Sequence, residues 1–329
     1  KIGCINNMKK FFCLLISTLV FFNLVIGQEA TPEQLPEFTS LFIPTAGFTY
    51  SRLSPDNYML QPSAGLQFMR KKNNLEVSGP ELFALGANYS QAYFKEGLCG
   101  TDTDRLHSIS LMGNLMAGKN TVMLSVSSEA ELPFSSFKNI TGLAMYTRQL
   151  FKNDSITFGL GGGIIVNDFG VKIGDVDIFV IPLPLIYFTY SLKTDFLQAG
   201  LNIIGLPSID FTFFPEALFR LKGSASISGI NSVYDIMFNG CLACYPLKYT
   251  AAGDLLSIAA GVKNTKSTFS MADSKRRGYQ NYLAYGEINA GFLVVTGGWN
   301  FGGHEILDKD ITDPCNGGFF ASVTGMFAF

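Results

Sequence analysis

The chain closes on Gly317-Gly318-Phe319-Phe320-Ala321-Ser322-Val323-Thr324-Gly325-Met326-Phe327-Ala328-Phe329. Taken in steps of two, Phe319, Ala321, Val323, Gly325, Phe327 and Phe329 share one face. Side chains of a β-strand alternate between faces, so the stretch reads as a strand with one apolar side. The same period recurs upstream. Ile109, Leu111, Leu115 and Ala117 oppose Ser108, Ser110 and Asn114. Val122, Leu124 and Val126 oppose Ser125, Ser127 and Glu129. Ile186, Phe188, Tyr190 and Leu192 oppose Tyr187, Thr189 and Ser191, and Leu197, Ala199, Leu201 and Ile203 oppose Gln198, Gly200 and Asn202.

Composition says what the apolar faces meet. Of 329 residues, 47% are hydrophobic and only 15% charged, whereas an average globular chain has about 25% charged residues. A soluble β-sandwich would bury its apolar faces and carry more charge outside. The shortage of charge points to faces turned toward lipid. A formal net charge of −2 gives no basic surface for nucleic acid.

Met8-Lys9-Lys10, the apolar run Phe11 to Ile26 and then Gly27-Gln28 have the layout of a secretory signal peptide. Residues 1–27 are therefore read as upstream residues plus a leader cut after Gly27, with Ala30 as the alternative site. Residues 28–40 form a short periplasmic segment, and 41–329 a single domain. Past residue 28 no run reaches the roughly 18 apolar residues of a helical span. Phe179 to Leu192 is short and holds Pro182 and Pro184, and Tyr282 to Trp299 contains Glu287 and several glycines. A lipid-facing chain without such helices can satisfy its backbone by closing its strands into a barrel.

Polar turns are expected at 71–74, 118–120, 152–154, 193–195 and 263–266, where Asn, Asp and Gly tolerate the backbone of tight hairpins. Longer loops are expected at 53–62, 95–104, 133–139, 167–180, 205–210, 236–248 and 302–318. At about 9 to 11 residues per strand, this predicts an all-β, antiparallel up-and-down transmembrane β-barrel of about 12 strands, within 10 to 14.

The final strand, with Phe329 last and Phe327 two before it, resembles the terminal strand of bacterial outer-membrane β-barrel proteins. That resemblance implies an outer-membrane location, outer-membrane lipid as surroundings, and recognition of Phe327 and Phe329 by the barrel-insertion machinery. The chain also looks broadly like barrel families known only as domains of unknown function. Val180 to Tyr190, VIPLPLIYFTY, resembles the lipid A palmitoyltransferase barrels, in which prolines open the wall to lipid. A loop end is the competing reading of Pro182 and Pro184, since proline removes a ladder hydrogen bond.

Three functions follow as expectations: a narrow channel for small or hydrophobic solutes, a lipid-modifying enzyme, or a structural surface barrel. For the channel, Glu129, Glu131, Arg148, Gln198 and Asn202 are the candidate lumen-lining residues. No catalytic set, metal site or cofactor is expected. His107 shares parity with Ile109 and Leu111 and reads as interfacial. His304 lies in a long acidic loop with Asp308, Asp310 and Asp313 but without calcium-loop spacing. Gly159-Leu160-Gly161-Gly162-Gly163 reads as a strand that bends or takes an aromatic over its backbone. Cys99, Cys241, Cys244 and Cys315 are expected in outer loops as disulfide candidates, with Cys241 and Cys244 near enough in sequence for a local bridge.

Overall fold

A computed structural model describes residues 38–329, apart from 54–55, 73–80, 97–103, 137–138, 168–171, 174–175, 205, 228–235, 252, 272–275, 308–309, 315–316 and 328–329. Of the leader and the segment 28–40, only residues 38–40 fall within it, as the start of the first strand.

Nineteen strands follow in order: β1 Phe38–Arg52, β2 Tyr58–Lys72, β3 Leu82–Phe94, β4 Arg105–Ala117, β5 Asn120–Ala130, β6 Thr141–Lys152, β7 Ile156–Val166, β8 Lys172–Ile173, β9 Val176–Asp177, β10 Val180–Lys193, β11 Leu197–Ile204, β12 Leu206–Phe213, β13 Phe219–Ile227, β14 Ile236–Cys244, β15 Ser257–Ser270, β16 Arg276–Asn289, β17 Leu293–Leu307, β18 Asp310–Pro314 and β19 Gly318–Met326. β8 and β9 form a separate hairpin, and among the described residues β18 pairs only with β17. The other sixteen pair antiparallel with their chain neighbours, and β19 closes on β1 through Thr45↔Met326 to Ser51↔Phe320. The result is a closed barrel of 16 strands.

The expected dozen is thus corrected to 16, and the missing strands lie where polar or proline-bearing segments read as loops. Lys263-Asn264-Thr265-Lys266 is no turn: it lies inside β15. The span 236–248 contains β14, and 205–210 contains the start of β12, separated from β11 by residue 205 alone. A strand lining a hydrated lumen can carry lysine and asparagine in mid-course, so polarity there does not mark a turn.

Parity assigns the faces. Leu111, Leu124, Ile186, Leu242 and Trp299 point outward, each about half exposed. An exposed side chain of that size costs about 1.5–3 kcal/mol in water relative to burial, so the belt is suited to lipid. Aromatic residues gather near both rims. Tyr50 lies 5.9 Å from Tyr58 and 6.4 Å from Phe319 at one end, and Phe196 lies 5.4 Å from Phe213 and 4.9 Å from Phe214 at the other. In β10 Tyr190 faces out and Tyr187 faces in, paired with Gly159.

One end carries most of the long connections, 95–104, 131–140, 167–179 and 308–317. The other carries the tight turns 118–119, 153–155, 194–196 and 290–292. Sharp bends in the wall need glycine. At Gly161 a Cβ would sit 2.0 Å from the Tyr146 carbonyl oxygen, and at Gly298 it would sit 2.0 Å from that of Ala284. Both positions face inward, where a bend crowds the inner side chains.

Candidate functional site

The lumen has two contrasting regions. At the long-loop end, inward-facing residues from opposite walls meet: Leu53, Met59, Ala92, Phe94 and Leu106 from the β1–β4 side, and Phe269, Met271 and Tyr279 from the β15–β16 side. Phe94 packs edge-on against Phe269 at 6.4 Å and Tyr279 at 6.1 Å, and the Tyr279 hydroxyl donates to the Met59 sulfur at 2.9 Å. Ser270 of β15 even pairs, in parallel, with Ala130 of β5, a strand far from it around the barrel. The cylinder is therefore pinched, and an apolar core fills this part of its mouth.

Toward the short-turn end the wall turns polar and charged. The sequence Phe219-Arg220-Leu221-Lys222 sends both cations inward. Across the ladders Lys222 faces Cys241, Cys241 faces Gly261, and Gly261 faces Tyr285. Arg220, buried, lies 3.8 Å over the Tyr245 ring and grips Asp254 with two hydrogen bonds of 2.8 and 2.7 Å. Lys222 donates to the Tyr245 hydroxyl. Lys263 stands 4.7 Å over the Tyr285 ring, whose hydroxyl donates to Asn239 at 2.7 Å. The Thr296 hydroxyl donates to Glu287 at 3.2 Å. With Asp210 on neighbouring β12, all of these groups except Thr296 border a cavity of about 550 Å³. A smaller recess of about 270 Å³, walled by Thr45, Thr49, Gln61, Ser63, Asn88 and Ser108 among others, carries hydroxyls and amides.

Of the residues expected to line the lumen, Glu129 faces inward beside Ser108, whose hydroxyl donates to it at 3.4 Å. Gln198 and Asn202 share the inward face of β11 with Gly200, which opposes Asp210. Glu131 lies just past the end of β5. Arg148 is a correction: it pairs with Asn120 and Leu160, shares its face with exposed Tyr146, and points outward near the short-turn rim. A cation there can reach the headgroup layer, so polarity alone did not separate lumen from interface.

Cys241 and Cys244 are also relocated. They sit in β14 and not in an outer loop, and both are free. An offset of three residues puts them on opposite faces of a strand, Cys241 inward and Cys244 outward, so no bridge joins them. Cys99, Cys315 and Phe329 lie outside the described residues. Phe327 continues the last strand, donating its N–H to Pro44 at 3.1 Å and packing 6.4 Å from Phe292.

Both histidines lie on the outer face. His107 stacks 6.0 Å from Tyr89 and is hydrogen-bonded to its hydroxyl at 2.9 Å, and His304 meets the edge of Tyr282 at 6.1 Å. His304 belongs to β17 and not to a loop. Among the described residues no cluster of three His, Cys, Asp or Glu side chains has metal-holding geometry. The residues missed in the sequence, Arg220, Lys222, Lys263, Tyr245, Tyr285 and Glu287, left one usable signal: charge at every second position of Arg220 and Lys222.

No protein-family model and no curated protein matches the chain. Solved structures of low identity do. OccAB4 of Acinetobacter baumannii is 11% identical, with a TM-score of 0.37 over 91% of this chain and 100% of that one. The outer membrane protein OpdK of Pseudomonas aeruginosa is 8% identical, with a TM-score of 0.35 over 90% and 100%. OmpT, an outer membrane protein of Vibrio cholerae, is 10% identical, with a TM-score of 0.32 over 91% and 100%. The strand pairing, and not this likeness, carries the fold.

Proposed function

We propose that the barrel sits in a bacterial outer membrane and conducts small polar solutes through its lumen, with the apolar core at the long-loop end as the constriction that limits flow. The observation that carries this reading is the inward-facing charged chamber of Arg220, Lys222, Lys263, Asp254 and Glu287 inside a 16-strand wall. Barrels of 16 to 18 strands are wide enough to hold an aqueous channel, whereas about 8 strands are filled by their own side chains. Apolar constrictions gate such paths by excluding water.

Outer-membrane lipid then surrounds the apolar belt, and the insertion machinery reads Phe327 and Phe329. The test is refolding into liposomes, followed by solute-driven swelling and planar-bilayer recording. The native chain should pass small sugars or amino acids slowly. A Phe94→Ala variant should pass them faster. Absence of conductance in both sinks the channel reading.

A further inference from the structure

The inner wall divides by chemistry. From β12 to β16 it carries the charged chamber, whereas across β19 and β1–β4 the inward positions beside the apolar core are hydroxyls, amides and glycine. One step of two along each strand separates the regions: Met59 gives way to Gln61, Ala92 to Ser90 and Leu106 to Ser108. The recess of about 270 Å³ therefore adjoins the core on its short-turn side.

Glycine gives the recess its floor. A Cβ on Gly65 would stand 2.2 Å from the Asn88 Oδ1 and 2.5 Å from the Thr45 Oγ1, and one on Gly47 would stand 2.8 Å from the Ser63 Oγ and 3.2 Å from the Thr324 Oγ1. Polar oxygens from neighbouring strands thus lean over two bare backbone positions. Thr49 donates to Ser322 and Gln61 to Ser90, each at 3.1 Å. Among the described residues, however, the side chains of Thr45, Ser63 and Asn88 are bonded to no other. They hold donors and acceptors open to the lumen.

No charged side chain lines the recess, and its one aromatic neighbour, Tyr89, turns its ring to His107 on the outer face. Glu129 stands at the margin, accepting from Ser108 at 3.4 Å. A charged solute would give up hydration there without gaining a counter-ion, and an apolar one would leave the open groups unpaired. A solute whose own hydroxyls donate and accept meets both demands. The volume lies just under the ~300–1,000 Å³ of sites for drug-sized ligands, which suits one sugar ring.

We infer that this recess binds a neutral monosaccharide, which names the solute class of the proposed channel. The role in transport rests on that channel reading. Binding does not, because the recess opens to the lumen on the short-turn side and a sugar reaches it without crossing the apolar core.

The test is isothermal titration calorimetry of the refolded chain, in a zwitterionic detergent without a sugar headgroup, against glucose and against gluconate. Glucose should bind saturably, and gluconate about tenfold more weakly because its carboxylate finds no partner. Asn88→Leu should weaken glucose about tenfold and Ser63→Ala about fivefold, the worth of one or two hydrogen bonds. Arg148→Gln, on the outer face, should bind as the native chain does. Heat-modifiable migration confirms each fold, and the milder Ser63→Ala decides where Asn88→Leu does not refold. Absence of saturable glucose binding, gluconate binding as tightly as glucose, or unchanged binding in the folded recess variants overturns the site. Planar-bilayer conductance is read separately: glucose bound by a silent barrel sinks the channel and keeps the site, and conductance without glucose binding does the reverse.

Discussion

Arg220 and Asp254 are joined by paired hydrogen bonds of 2.7 and 2.8 Å that fasten the first residues of β13 to the β14–β15 connection. Arg220 is buried on the Tyr245 ring, so Asp254 offsets a charge that would otherwise sit unpaired in the wall of the chamber. Lys248 extends the set, bonding Glu216 at 2.8 Å and lying 3.9 Å from Asp254.

These contacts make the short-turn end sensitive to acid. The hydrogen bond from Arg220 holds the Asp254 carboxyl below its ordinary range, and the bond from Lys248 does the same for Glu216. A carboxyl depressed in the folded state stabilises above its unfolded value, near pH 4, and that contribution fades as pH falls through the folded one. Asp254→Asn should lower folded stability by about 1 kcal/mol at neutral pH, a modest figure because Asp254 is half exposed. It should also flatten the loss on acidification. The check is the midpoint of heat-modifiable migration between pH 7 and pH 3. An unchanged acid slope would count against the pair.

The apolar constriction predicts a trade of stability for flow. Phe94→Ala removes a ring that is fully buried, a change that costs about 3–5 kcal/mol in a packed core. The melting midpoint should fall and single-channel conductance should rise. Tyr279→Phe, which loses the bond to Met59 but keeps the ring, should leave conductance close to native.

Glu129 and Arg148 separate lumen from interface. Glu129→Gln should change the cation-to-anion permeability ratio, because its side chain faces the path. Arg148→Gln should not, because its side chain faces outward. Reversal potentials under a salt gradient measure both. Equal shifts would contradict the assigned faces.

Neighbouring glycines should differ sharply. Gly161→Val places a Cβ against the Tyr146 carbonyl oxygen and should abolish the folded band on a gel, since overpacking against fixed backbone costs about 1–3 kcal/mol or more. Gly162→Val, with its nearest neighbour at 3.8 Å, should refold normally.

The two cysteines should react without prior reduction and with different reagents. Cys241 should take a water-soluble maleimide through the lumen, while Cys244 should take a lipid-soluble one. Resistance of both until reductant is added would show a bridge.

Much of this architecture was written in the alternation of residues. A period of two with an apolar face, as at Leu111 against Ser110, dictates strands, and scarce charge suits the apolar side to lipid. The inward orientation of Glu129, Gln198 and Asn202 follows from the same parity. Strand number did not follow, because Lys263-Asn264-Thr265-Lys266 has the composition of a turn and only pairing with β16 shows it as strand. Nor could parity reveal that Phe94 and Tyr279, about 185 residues apart, meet inside the cylinder, or that Arg220 finds Asp254. Local sequence fixes which way a side chain points because strand geometry is local. What it meets across a lumen depends on closure and pinching of the whole wall, which only long-range pairing sets.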